Sequence, residues 1–226
     1  MRKVFLAALL IFLFISPLYA APCYGTKLPG KNKIFMGLQS HAIFKRHLED
    51  NFGKLRSAQY FFLLSYGVFD RFSIDLKVGL GNIKVRPLGG DDVDYDINFA
   101  GGYGFRLKFF DQERIKAVFG FQHISVHPKS THLGIVKNKA ILDDWQASIL
   151  ASYDFKKFTP YLGTRWSRVD YIHTQGDNRG RRMSDSSKDI GLIVGVDLPF
   201  TKKAWINLEG NFFDSTAAAF SVNYVF

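Results

Sequence analysis

The sequence predicts an all-β fold, a transmembrane up-and-down antiparallel β-barrel of about ten strands, with eight as the alternative. Three observations carry this. Segments of about ten residues alternate apolar and polar side chains, the length and period of a strand that crosses a bilayer. The connections between them alternate short and long. Aromatic residues, 16% of the chain, gather at the segment ends. Past Ile15 no apolar run approaches the ~20 residues that a membrane helix needs, so helical spanning is excluded.

The amino terminus is a separate element. Arg2 and Lys3 precede the apolar run Val4 to Ile15, and Ser16-Pro17-Leu18-Tyr19-Ala20-Ala21 follows. A basic head, an apolar centre too short for a bilayer and small residues at its end make a secretory signal peptide. Residues 1–20 are read as removed, because cleavage after Ala20 avoids leaving Pro22 at the new terminus, and residues 21–226 as one barrel domain. Pro22 argues against lipidation of Cys23, and a single cysteine makes no internal disulfide and no structural zinc set. Without Arg2 and Lys3 the formal charge of +10 falls to +8. On an exported chain this excess points away from nucleic acid and towards anionic outer-leaflet lipid. No cofactor is expected.

The alternating segments lie near residues 33–44, 58–68, 72–83, 94–109, 115–126, 144–154, 158–170, 189–198, 204–213 and 217–226. In the third, Phe72, Ile74, Leu76, Val78 and Leu80 alternate with Ser73, Asp75, Lys77, Gly79 and Gly81. In the fourth, Tyr95, Ile97, Phe99, Tyr103, Phe105, Leu107 and Phe109 take the apolar parity. A Lys or Arg facing lipid at mid-bilayer costs about 2–4 kcal/mol, so Lys77, Arg106, Lys116 and Arg165 all outward would cost about 8–16 kcal/mol, comparable to a whole domain's stability. They are assigned to the lumen. The inner face then holds five acids, Asp75, Asp154, Asp189, Asp197 and Glu209, against five bases, Lys77, Arg106, Lys108, Lys116 and Arg165. This near-balance, with Phe61, Leu63, Leu150 and Ile193 sharing the inward parity, predicts a salt-bridged plug with at most a narrow, interrupted passage.

Short connections fall at 69–71, 110–114, 155–157 and 199–203, and long ones at 45–57, 84–93, 127–143 and 171–188. Tight turns on one rim and long loops on the other fit a periplasmic and an extracellular side, and an even strand count returns both termini to the tight rim. Tyr60, Tyr95, Trp145, Trp166 and Phe212 form one interfacial girdle; Phe72, Phe109, Tyr153, Phe158, Tyr224 and Phe226 form the other. Arg168, which shares the outward parity of Trp166, belongs above the bilayer. No end strand is blunted by charge or proline, as a barrel without edges allows.

The chain ends on Ala217 to Phe226, with Phe220, Val222, Tyr224 and Phe226 on one face and Ala219, Ser221 and Asn223 on the other. This resembles the terminal targeting strand of bacterial outer-membrane barrels. The resemblance implies that the strand is read by the barrel-assembly machinery and closes the barrel on the first strand. Taken whole, the sequence resembles small outer-membrane β-barrels of the OmpA-like or opacity-protein type, with Ser65-Tyr66-Gly67-Val68-Phe69-Asp70-Arg71-Phe72 resembling their strand-turn-strand joints. It implies a monomer in the outer membrane of a Gram-negative-type bacterium. The expected role is non-catalytic, structural, surface-interacting or that of a narrow pore, with a lipid-modifying or proteolytic barrel enzyme as the alternative.

Four clusters are candidates for chemistry. His123-Ile124-Ser125 resembles the His-x-Ser pair of outer-membrane lipid A deacylases, in which Ser is the nucleophile and His its base. That family places Asn after the Ser and an acid about a dozen residues on. Val126 and Lys137 stand there, the nearest acids being Asp143 and Asp144, so the pair is read as a polar strand end. Asp91, Asp92 and Asp94 with His173 form a faint counterpart of the omptin proteases' acid and His-Asp sets. The run Asp91 to Asp96 also offers clustered carboxylates of the kind calcium takes, although pairing with basic neighbours is the plainer reading. Finally Lys129, Lys137, Lys139, Arg179, Arg181 and Arg182 on two long loops are suited to lipopolysaccharide phosphates, for which Arg forks are well shaped.

Overall fold

A computed structural model describes residues 24–226; the stretch expected to be a signal peptide, and Cys23, lie outside the described residues. Period-two alternation produces strands throughout: β1 (Ile34–Leu48), β2 (Gly53–Phe69), β3 (Phe72–Pro87), β4 (Val93–Gln112), β5 (Ile115–Val126), β6 (Thr131–Leu133), β7 (Val136–Tyr153), β8 (Thr159–Gln175), β9 (Asn178–Met183), β10 (Ile190–Pro199), β11 (Ala204–Phe212) and β12 (Ser215–Val225). Ten of them pair antiparallel in the order β1-β2-β3-β4-β5-β7-β8-β10-β11-β12, and β12 pairs back onto β1. The terminal strand thus closes the ring, from Phe35 opposite Val225 to Arg46 opposite Ser215, and the Phe226 amide donates to the Ile34 carbonyl at 3.0 Å. Short β6 and β9 lengthen β7 and β8 on the far rim.

Strands on that rim run further than the alternation of apolar residues suggests. The stretches 45–57, 84–93, 127–143 and 171–188, expected as loops, are largely protruding hairpins. The reason is an inversion of polarity along each strand. In β3 the outward residues Ile74, Leu76, Val78 and Leu80 give way to Asn82, Lys84 and Arg86, while the inward residues pass from Ser73, Asp75 and Lys77 to Ile83 and Val85. In β2 the outward row changes from Phe62 and Tyr60 to Arg56 and Lys54, and Leu55 turns inward. A strand segment with lipid outside must be apolar there, whereas the same strand above the bilayer faces water and can bury its apolar side in the bore.

Two bulges re-phase the strands and correct the expected faces. Opposite the register shift between Gly81 and Ile83, β4 carries one extra residue, so Tyr95 turns inward and is buried, while Ile97 and Phe99 remain outward. Tyr95 is therefore no girdle residue; its hydroxyl meets that of Tyr171 at 3.2 Å inside the barrel. The shift between Ile43 and Lys45 in β1 turns Arg46 into the lumen.

Candidate functional site

The bore is filled in three layers. Towards the tight rim, residues 24–29 fold back into the barrel, and the exposed residues 31–33 lead from there into β1. Gly25 takes a φ of +73° beside the Asp197 carboxylate, and Gly67 lets the chain approach so closely that a Cβ there would lie 2.1 Å from the Gly30 carbonyl oxygen. Asn32 and Gly67 then exchange backbone bonds with β2 and the segment, Asn32 N–H donating to the Gly67 carbonyl at 2.7 Å and Gly67 N–H to that of Lys33 at 2.9 Å. Tyr24 Oη donates to Asp75 Oδ2 at 3.3 Å, and its ring carries Lys77 Nζ and the Arg106 guanidinium, each 4.4 Å from the centroid.

The middle layer is polar and paired. Arg106 grips Asp75 with Nε at 3.0 Å and Nη2 at 3.1 Å, and also donates to Ser65 Oγ and the Lys27 carbonyl. Lys77 starts a chain that runs through Gln122, Gln146 and Asp144 to Ser167. Asn207 donates to Asp197, and Tyr161 Oη to Glu209 at 2.7 Å. Arg165 pairs with Asp214, an acid outside the five expected ones, which Arg46 shares at 2.9 Å while also reaching Asp189 at 3.4 Å. Arg46 and Asp214 are buried members that the parity argument missed. Lys108 lies towards the rim, paired with Asp111, and Lys116, Asp154 and Asp189 are only half-buried.

Above these charges lies an apolar layer. Leu48, Leu55, Ile83, Val85, Tyr95, Leu142, Val169 and Tyr171 are buried together there. The expected plug is thus salt-bridged only at its centre and is sealed by hydrocarbon on the long-hairpin side.

On the outside of the barrel, β5 presents His123 and Ser125, and His127 follows directly after the strand. Ser125 Oγ lies 2.9 Å from His127 Nε2 and donates to Asp143 Oδ1 at 2.5 Å, while His123 Nε2 is 3.6 Å from the same carboxylate and its ring lies 4.0 Å from that of Trp145. Hydroxyl, imidazole and acid do converge, but in the wrong order for a nucleophile. The hydroxyl has one proton, and Asp143 takes it, so His127 Nε2 serves as donor to Oγ and not as the base that would deprotonate it. His123, the partner in the His-x-Ser pattern, touches the carboxylate and not Ser125.

The remaining candidates are separated. Asp92 is held by Arg86 and Asp94 by Lys84, and His173 stacks on Tyr171 at 5.2 Å and near Phe52 at 5.8 Å, so no proteolytic set assembles. The Asp91 to Asp96 run is strand for most of its length, and Val93 and Tyr95 point inward between the paired carboxylates. Of the six rim cations, Arg181 pairs with Asp170 and Arg182 with Asp50. Lys129, Lys139 and Arg179 line a single groove of about 510 Å³, and Lys137 stands exposed outside it.

No protein-family model matches the chain, and no curated protein matches it. Similar solved structures include the attachment invasion locus protein Ail of Yersinia pestis, with 8% identity, 88% of this chain and 100% of that chain covered and a TM-score of 0.44. The outer-membrane protease OmpT of Escherichia coli has 11% identity, with 89% and 97% covered and a TM-score of 0.44. An outer-membrane channel of Pseudomonas putida F1 has 10% identity, with 91% and 98% covered and a TM-score of 0.41. Identities this low carry no information on activity.

Proposed function

We propose that this chain is a non-catalytic, monomeric barrel of a Gram-negative-type outer membrane, exported through a cleaved signal peptide, whose bore is shut and whose work is done by the hairpins of the long rim. The bore carries the reading: folded-back chain, paired charges and an apolar seal succeed one another along it. Ten strands leave little space to begin with, and an ion crossing the seal would shed water against Leu55, Val85 and Leu142, where the Tyr95 and Tyr171 hydroxyls are already bonded to each other. Planar-bilayer recording on the purified protein is expected to show small or rare openings. A variant lacking residues 24–29 is expected to stay as quiet, because the apolar layer is untouched. A steady, large, ion-selective conductance from the intact chain would replace this reading with that of a porin.

The meeting of Ser125, His127 and Asp143 favours a second reading, acyl-ester hydrolysis at the lipid-facing surface. The proton order speaks against it. Mass spectrometry of lipid A from cells that express the chain is expected to show no lost acyl chain; a deacylated species that disappears with Ser125→Ala would establish the enzyme.

A further inference from the structure

We infer that the groove between β7, β8, β9 and the crossover after β5 is a binding site for the phosphorylated sugar headgroup of an outer-leaflet glycolipid. The register builds it. Lys139 lies opposite Thr174, Thr174 opposite Arg179, and Ile141 opposite Ile172, so cations stand in a row above an apolar floor on the outward face. Lys129 closes the other wall, fixed by its amide's 2.9 Å bond to the Asp96 carbonyl.

The charges single out this groove. Along the same rim Lys84, Arg86, Arg181, Arg182 and Lys188 each hold a carboxylate. Among the described residues Lys129, Lys139 and Arg179 hold none. Asp143, the acid next below Ile141 on that face, accepts from Ser125. Three cations converging on one groove without an internal counter-ion call for an anion from outside, and a phosphate offers each of them strong charge-assisted hydrogen bonds.

Height above the membrane decides which anion. The floor residue Ile141 is four residues beyond Trp145 of the aromatic girdle, about 13 Å along a strand, or roughly 10 Å vertically at barrel tilt. A phospholipid phosphate stays near the girdle, whereas the phosphorylated sugars of a glycolipid reach this level. The inference rests on the membrane placement proposed above, but lipid retention and conductance are measured independently, so either can fail alone.

The test is lipid retention by the purified, folded barrel in detergent, followed by native mass spectrometry, with folding checked by heat-modifiable gel mobility. Lipopolysaccharide with a phosphorylated core should be retained by the unmodified chain and held at least about tenfold more weakly by Lys129→Ala/Lys139→Ala/Arg179→Ala. Arg181→Ala/Arg182→Ala, which removes only cations already paired, should leave retention unchanged. The same glycolipid after dephosphorylation should bind at least about tenfold more weakly. Equal retention by the triple variant, undiminished binding of the dephosphorylated lipid, or equal competition by phosphatidylglycerol or inorganic phosphate would overturn the assignment.

Discussion

Arg46, in a stretch that sequence alone reads as loop, has its guanidinium buried and divided between Asp214, Asp189 and the Ser167 carbonyl at 2.6 Å. Asp214 in turn holds Arg46 and Arg165 at once. Breaking a buried pair by removing one partner costs about 3–5 kcal/mol, because the remaining charge has neither partner nor water. Asp214→Ala removes the carboxylate that two buried arginines share and is expected to fall in that range in urea unfolding from micelles. Arg106→Ala strands Asp75 and should fall within it. A loss of under ~1 kcal/mol for Asp214→Ala, the scale of an exposed ion pair, would show that water reaches the pair. Parity along unbroken strands did place Asp75, Lys77, Arg106, Arg165, Asp197 and Glu209 in the lumen. It failed for Arg46 and Tyr95 because one-residue irregularities at bulges reverse the facing of everything beyond them, and no residue type announces a bulge.

Among the elements, the ten membrane strands followed from alternation because lipid outside and polar groups inside impose opposite demands on neighbouring residues. Their extensions did not follow, since the sign of the alternation reverses between Leu80 and Lys84 in β3 and between Tyr60 and Arg56 in β2. The inward segment 24–29 left no periodic signal; only Gly25 and Gly67 mark it, and their role depends on tertiary contact. The terminal strand was fully anticipated, with Phe220, Val222, Tyr224 and Phe226 outward and Ala219, Ser221 and Asn223 inward. Its closing bonds to β1 suggest that loss of the last residue harms assembly more than export. Deleting Phe226, or replacing it with Asp, is expected to deplete the heat-modifiable folded band from outer-membrane fractions while the processed chain still reaches the periplasm. Normal folded-band levels would contradict a role for this strand in assembly.

For the whole molecule, the same alternation would suit a water-soluble sandwich, in which the apolar faces meet in a core. The structure differs on one physical point: Leu76, Val78, Leu80, Phe99, Tyr103 and Leu162 are about half exposed on the outside, while Asp75, Arg106 and Arg165 are buried within. So much outward hydrocarbon requires lipid. The rim groove was only half foreseeable. The basic residues of its walls stand out in the sequence, but which of the rim cations are already neutralised depends on Asp170, across the β8–β9 hairpin from Arg181, and on Asp50, 132 residues from Arg182 along the chain.

The membrane account is tested most directly by nitroxide scanning of residues 74–86 of β3, in a Cys23→Ser background and reconstituted in bilayers. Accessibility to oxygen should peak at 74, 76, 78 and 80 and fall at 75, 77 and 79, and positions 82, 84 and 86 should instead be reached by a water-soluble relaxant. Outward positions 74 to 80 that met the water-soluble relaxant, or an absence of two-residue oscillation, would contradict a lipid-embedded barrel with its boundary between Leu80 and Asn82.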